Sequence, residues 1–99
     1  MEIEKTRDGG KLLVALSGKL DTTTAPELEK EMEGEFESLK ELVFDMADLS
    51  YVSSAGLRTL FSCQKKCKGL PADMKIINAN EDVREIFDIT GFIDLLHIV

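Results

Sequence analysis

The chain has 99 residues, 43% of them hydrophobic and 31% charged. Those figures describe one globular domain, 1–99, and exclude a disordered chain; no apolar run approaches the roughly 18 residues of a spanning helix. Twelve basic residues against nineteen acidic ones give a net charge of -7. Such a surface repels phosphate backbones and anionic lipid, so nucleic acid and membrane are not expected partners, whereas a protein with a basic patch is steered towards it.

The chain opens with Met1-Glu2-Ile3-Glu4-Lys5, which is charged and lacks an apolar signal core. A soluble cytoplasmic protein is the expectation. Residues 2–7 read as a short edge strand, and Asp8-Gly9-Gly10 as a hairpin turn. The run Leu12 to Leu16, bounded by Ser17-Gly18, is apolar at every position, which predicts a central strand covered on both faces or nearly so. Leu20 to Thr23 leads into a helix with Thr24 as N-cap, Glu27 completing a capping box and Pro26 in the first turn. Ala25, Leu28, Met32, Phe36 and Leu39 recur at helical spacing, and Gly34 weakens the end. The acidic stretch from Glu27 to Glu37 is a solvated face.

Leu42 to Met46 predicts the next strand, with 47–53 as a junction and a helix from about Ser54 to Lys68. Leu57, Leu60, Phe61, Cys63 and Cys67 face inward on that helix; its basic last turn complements the dipole, and Gly69 with Pro71 stops it. Cys63 and Cys67 lie one turn apart, which is not the redox spacing, and no second cluster completes a metal site. They read as buried free thiols. Met74 to Asn78 is a strand, Asn80 caps a short helix through Ile89 that buries Val83, Ile86 and Phe87, Gly91 stops it, and Leu95 to Val99 is a last strand. Strands alternating with helices predict an α/β domain: a mixed, mostly parallel sheet of four to five strands with about three helices.

The candidate site is the junction Asp48-Leu49-Ser50-Tyr51-Val52-Ser53-Ser54-Ala55-Gly56-Leu57. It follows a strand and opens a helix, at the sheet edge where α/β domains place their sites. The first turn of a helix carries unpaired N–H groups and a positive dipole end, so a phosphate on Ser54 is tolerated by the domain itself. It adds about 1.5 to 2 negative charges to an exposed lip. Asp21 and Asp48 are expected to flank that lip. A serine before a helix is usually an N-cap alone. With two serines, Ser53 can cap while Ser54 presents its hydroxyl, and small Ala55 and Gly56 let a partner's backbone approach. A catalytic serine is not favoured: Val52 to Gly56 lacks the first glycine of a nucleophile elbow, and His97 is the only histidine. No phosphate-binding glycine loop with lysine is present either, so no cofactor is expected.

The string DLSYVSSAGLR resembles the signature of STAS domains, specifically bacterial anti-sigma factor antagonists. Gly18-Lys19-Leu20-Asp21 is similar to that family's Gly-x-Leu-Asp element, and Val83 to Phe92 to its third helix with a Ser/Thr-Gly stop. The resemblance covers nearly the whole chain. It implies that Ser54 is the phosphorylated serine and that Asp21 lies beside it. It implies that the unphosphorylated protein binds an anti-sigma factor that is also a serine kinase, freeing a sigma factor. Phosphorylation of Ser54 ends the interaction and a metal-dependent, PP2C-type phosphatase restores it. Asp21, Thr22, Asp48, Ser53, Ser54, Ala55, Gly56 and Arg58 are the implied partner-binding residues. Ser53 stands where many members have Asp, which makes it an alternative phosphorylation site, and Arg58 replaces a common Gly. The family's C-terminal helix is expected to be lacking. The competing reading is a STAS module that binds without being phosphorylated, as in lipid-transport or scaffold complexes.

Overall fold

A computed structural model describes residues 1–99. The elements run β1 (Glu2–Asp8), β2 (Lys11–Leu20), α1 (Ala25–Met32), β3 (Glu41–Val52), α2 (Ser54–Lys68), β4 (Asp73–Ile77) and α3 (Glu81–Thr90), followed by a 3-10 turn at Phe92–Asp94. The strands form one mixed sheet in the order β1-β2-β3-β4. The hairpin makes β1 antiparallel to β2, and Gly9 supplies the left-handed backbone, φ 59°, that its turn requires. β2, β3 and β4 are parallel, joined by α1 and α2 as crossovers.

The core lies between one sheet face and the helices. Leu12, Val14, Leu16 and Leu20 of β2 and Leu42 and Phe44 of β3 meet Leu28 of α1, Leu57 and Leu60 of α2, and Val83 and Phe87 of α3. Coverage of β2 on both faces is not observed. Its burial alternates, and Leu13 and Ala15 are only half-buried on the opposite face. There Thr6, Leu13, Val43 and Lys75 form one cross-strand row and Glu4, Ala15, Asp45 and Ile77 the next. The apolar run of β2 thus reflects a sheet whose open face keeps an aliphatic centre under a charged rim, not a second helical layer.

Three element boundaries differ from expectation, each for a local reason. α1 stops at Met32, not near Leu39, because Gly34 takes φ 77° and Arg7 donates to the carbonyls of Glu35 (2.8 Å) and Glu37 (3.0 Å), folding 33–38 as turns. β3 does not stop at Met46 but runs on to Val52, because two register shifts against β2 each add a residue to it. Its buried positions beyond Phe44 are therefore Met46, Leu49 and Val52, three apart instead of two, which disguises the strand in the sequence. The last strand is absent. After the 3-10 turn the chain makes only an isolated bridge between Ile98 and Ile76, with Ile76 N–H donating to the His97 carbonyl at 2.9 Å. No helix is long and apolar enough to cross a membrane.

Candidate functional site

β3 ends at Val52, which pairs with Leu20 at the end of β2, so both strands deliver their C-termini to one edge. The Ser53 N–H donates to the Leu20 carbonyl at 2.8 Å, tying the start of α2 to the strand that precedes Asp21. Gly56 makes that approach possible. A Cβ there would stand 2.8 Å from the Leu20 carbonyl oxygen and 2.7 Å from its Cγ, closer than packed atoms approach.

The two serines divide the work at this helix start. Ser53 has extended backbone (φ -87°, ψ 175°) and its hydroxyl oxygen accepts from the Gly56 N–H at 3.3 Å: it is the N-cap. Ser54 is the first helical residue, is exposed, and its hydroxyl has no partner within the protein. Its own N–H and that of Ala55 lie in the first turn, where helical amides lack intrahelical acceptors.

Asp21 sits just past Leu20 with its carboxylate committed locally. Oδ1 accepts from the backbone N–H groups of Thr24 (3.1 Å) and Thr23 (3.0 Å). The Thr24 amide, with smaller help from Thr23 and Lys19, holds the Asp21 carboxyl below its ordinary range. Asp21 thus takes over the role expected of Thr24, whose side chain makes no capping bond; Thr24 Oγ1 instead donates to the Lys19 carbonyl at 2.8 Å. Thr22 is exposed on this turn. Asp48 lies elsewhere. It is paired with Ser17, upstream of both strand ends, and lines a concavity with Glu2 and Glu4. It does not join Asp21 at the Ser54 lip; the extra residues in β3 displace it.

Ser53 and Ser54 form one wall of a shallow groove of about 230 Å³, with Tyr51 and Leu57 beside them and Ile86 and Ile89 opposite. Ile89 is 76% exposed and Tyr51 44%. Ile86, expected in the core, is only partly buried, and Ile89 and Tyr51 join it in lining the groove. The signal available was Ile86-x-x-Ile89, an apolar pair at helical spacing to one side of the buried Val83 and Phe87 stripe. α3 is held against β3 by Asn80, whose Nδ2 donates to the Leu49 carbonyl (3.0 Å) while its Oδ1 caps the Val83 N–H (2.9 Å). Arg58, four residues after Ser54 on α2, is exposed and makes no ion pair.

Other chemistry is not assembled. His97 packs beside Ile76 through its carbonyl and does not line the groove. No group of three or more His, Cys, Asp or Glu is placed to hold a metal ion. Cys63 and Cys67 are buried free thiols, and burial pushes Cys63 up to about 12.

The architecture is thus a mixed sheet with its helices on one face and a capped serine pair at the crossover into α2, in a small α/β domain. The STAS domain model matches residues 2–99, and the chain belongs to that family. An anti-sigma-B factor antagonist of Staphylococcus epidermidis is 31% identical over 86 residues, covering 86% of this chain and 80% of that protein. An anti-sigma factor antagonist from Mycobacterium paratuberculosis has the same fold, with a TM-score of 0.87 at 23% identity over 98% of this chain and 83% of that one. The anti-sigma factor antagonist SpoIIAA in its unphosphorylated form gives a TM-score of 0.78 at 11% identity, covering 99% of this chain and 87% of that one. Its Bacillus phosphorylated form gives 0.77 at 12% identity, covering 99% and 91%.

Proposed function

We propose that this protein is an anti-sigma factor antagonist whose binding is switched at Ser54. The unphosphorylated chain binds an anti-sigma factor that is also a serine kinase, and a sigma factor is released. Transfer of the ATP γ-phosphoryl group to Ser54 Oγ, with loss of the hydroxyl proton, ends binding; a PP2C-type phosphatase hydrolyses the ester and restores it. The protein is substrate and switch in this scheme, not catalyst.

The observation that carries the reading is the division between the serines. Ser53 Oγ is engaged as the cap, whereas Ser54 Oγ is exposed and unengaged. A phosphate on Ser54 meets first-turn amides and the positive end of the helix, so the domain keeps its fold. A partner seated on the neutral hydroxyl meets a bulky dianion instead. The names of the relatives, and the fold shared with both forms of SpoIIAA, support the same reading. Ser53 is the poorer acceptor, because its modification costs the helix its cap. Asp21, Thr22, Ala55 and Arg58 form the contact surface with Ser54, Gly56 is buried beneath it against Leu20, and Asp48 is peripheral to it.

The test is recovery of the complex from the protein's own cells. With Ser54→Ala, an anti-sigma factor co-purifies at least as well as with wild type. With Ser54→Asp, recovery falls at least tenfold while the thermal midpoint is unchanged. Equal recovery with both variants contradicts the switch.

A further inference from the structure

The outer edge of the sheet, on β1, has no partner within the chain. Gly9 and Gly10 form a two-residue turn closed by the Asp8–Lys11 pair, so Glu2, Glu4, Thr6 and Asp8 exchange their backbone hydrogen bonds with β2. The N–H and C=O groups of Ile3, Lys5 and Arg7 therefore point away from the sheet, and no turn, loop or cap takes them up. Such a row is a template for one more strand.

The charges on β1 are unequally committed. Lys5 pairs with Glu31 at 3.1 Å and Glu35 at 2.8 Å, and Arg7 with Glu35 at 3.7 Å. Glu2, Glu4 and Asp8 are exposed and make no ion pair. Strand alternation puts these three on the open face of the sheet, away from the two cations. A concavity flanks the first half of β1 on each face. Glu2, Glu4 and Asp48 line one of about 480 Å³ on the open face, with no cation among its residues. Ile3, Glu27, Lys30 and Glu31 line the other, of about 400 Å³, on the helical face. An extended chain laid along β1 sends its side chains alternately into the two, which a helix docked on either face cannot do.

We propose that the β1 edge takes up an extended basic segment of a partner protein as a fifth, antiparallel strand. Lys or Arg at alternate positions of that segment lie beside Glu2 and Glu4, and aliphatic residues between them turn to the helical face beside Ile3. Backbone bonds to Ile3, Lys5 and Arg7 hold the segment, and the unpaired carboxylates select its charge. A second copy of this chain is a poor occupant, because the open-face positions of its β1 are Glu2, Glu4, Thr6 and Asp8, with no cation to offer. β1 contributes nothing to the Ser54 lip, so this surface is additional to the switch and independent of it.

The test titrates the isotope-labelled full chain with the end-capped peptide Val-Lys-Val-Lys-Val-Lys-Val. Amide shift changes are expected along β1 and the part of β2 beside it. Hydrogen exchange at Ile3, Lys5 and Arg7 is expected to slow about tenfold near nine-tenths occupancy. Binding is lost when the peptide's valines, whose N–H groups face β1, are N-methylated, and when glutamate replaces its lysines. Glu2→Lys combined with Glu4→Lys weakens binding roughly tenfold or more at an unchanged thermal midpoint. The same two reversals on α3, Glu85→Lys with Asp88→Lys, leave affinity unaltered. No binding of the lysine peptide overturns the proposal. So do shift changes without slowed exchange at the three amides, binding that survives N-methylation, an equal loss from the α3 pair, or a β1 edge already protected by self-association. Each of these outcomes leaves the Ser54 reading standing.

Discussion

Gly56 and Asp21 show how tightly single residues fix the geometry around Ser54. The Leu20 carbonyl oxygen would lie 2.8 Å from a Cβ at position 56, and it already accepts from the Ser53 N–H. Gly56→Ala must therefore displace the start of α2, and we expect a loss of about 1–3 kcal/mol, read from denaturant midpoints. The same substitution lowers partner binding beyond its effect on stability, because Ser54 moves with the helix. For Asp21 the sign follows from its depressed carboxyl, set first by the Thr24 amide. A carboxyl held lower in the folded state than in the unfolded chain stabilises above the unfolded value of about 3.9, and that contribution is lost as pH falls through the folded value. The stability gap between wild type and Asp21→Ala is therefore full at neutral pH and closes below about pH 4. Denaturant midpoints at the two pH values check it. At this scale the sequence was largely legible: two adjacent serines followed by Ala-Gly suggest one cap and one free hydroxyl. The place of Asp48 was not, because strand bulges cannot be counted from the sequence.

At the scale of elements, α2 and α3 were readable because their signals are local. Ser53 and Asn80 cap, and Gly91 takes φ 81° at the end of α3. The sequence hides the length of β3 because its bulges break the two-residue period, and it suggests a longer α1 because Phe36 and Leu39 keep a helical spacing beyond the helix end at Met32. The last strand was misread because an apolar run is consistent with a strand whether or not it pairs fully. α3 carries one wall of the groove; Val83 and Phe87 anchor it in the core, and Asn80 ties its first turn to β3. Asn80→Ala removes both the Val83 cap and the bond to the Leu49 carbonyl. We expect a loss of about 1–2 kcal/mol in denaturant unfolding. Asn80→Asp keeps the acceptor for Val83 but loses the donor to Leu49, and falls between. Equal stability of Asn80→Ala and wild type would remove Asn80 as the link between α3 and β3.

For the molecule as a whole, one helical layer on one sheet face puts the α2 and α3 walls of the groove beside the C-terminal ends of β2 and β3. The thiols of Cys63 and Cys67 lie inside that layer, and burial raises both above their ordinary range. Alkylation of the native protein at about pH 8 is accordingly slow and becomes fast only on unfolding, which a mass-resolved time course reads directly. The switch proposed above places a charge on an exposed hydroxyl, and such a switch needs no change of fold. The account therefore rests on one measurement: the purified complex of this protein with its anti-sigma factor is given ATP, and phosphate position and complex dissociation are followed together. The account predicts a single phosphate on Ser54 and release of the partner in step with it. Phosphate on Ser53 instead, or a Ser54-phosphorylated chain that stays bound, would contradict it.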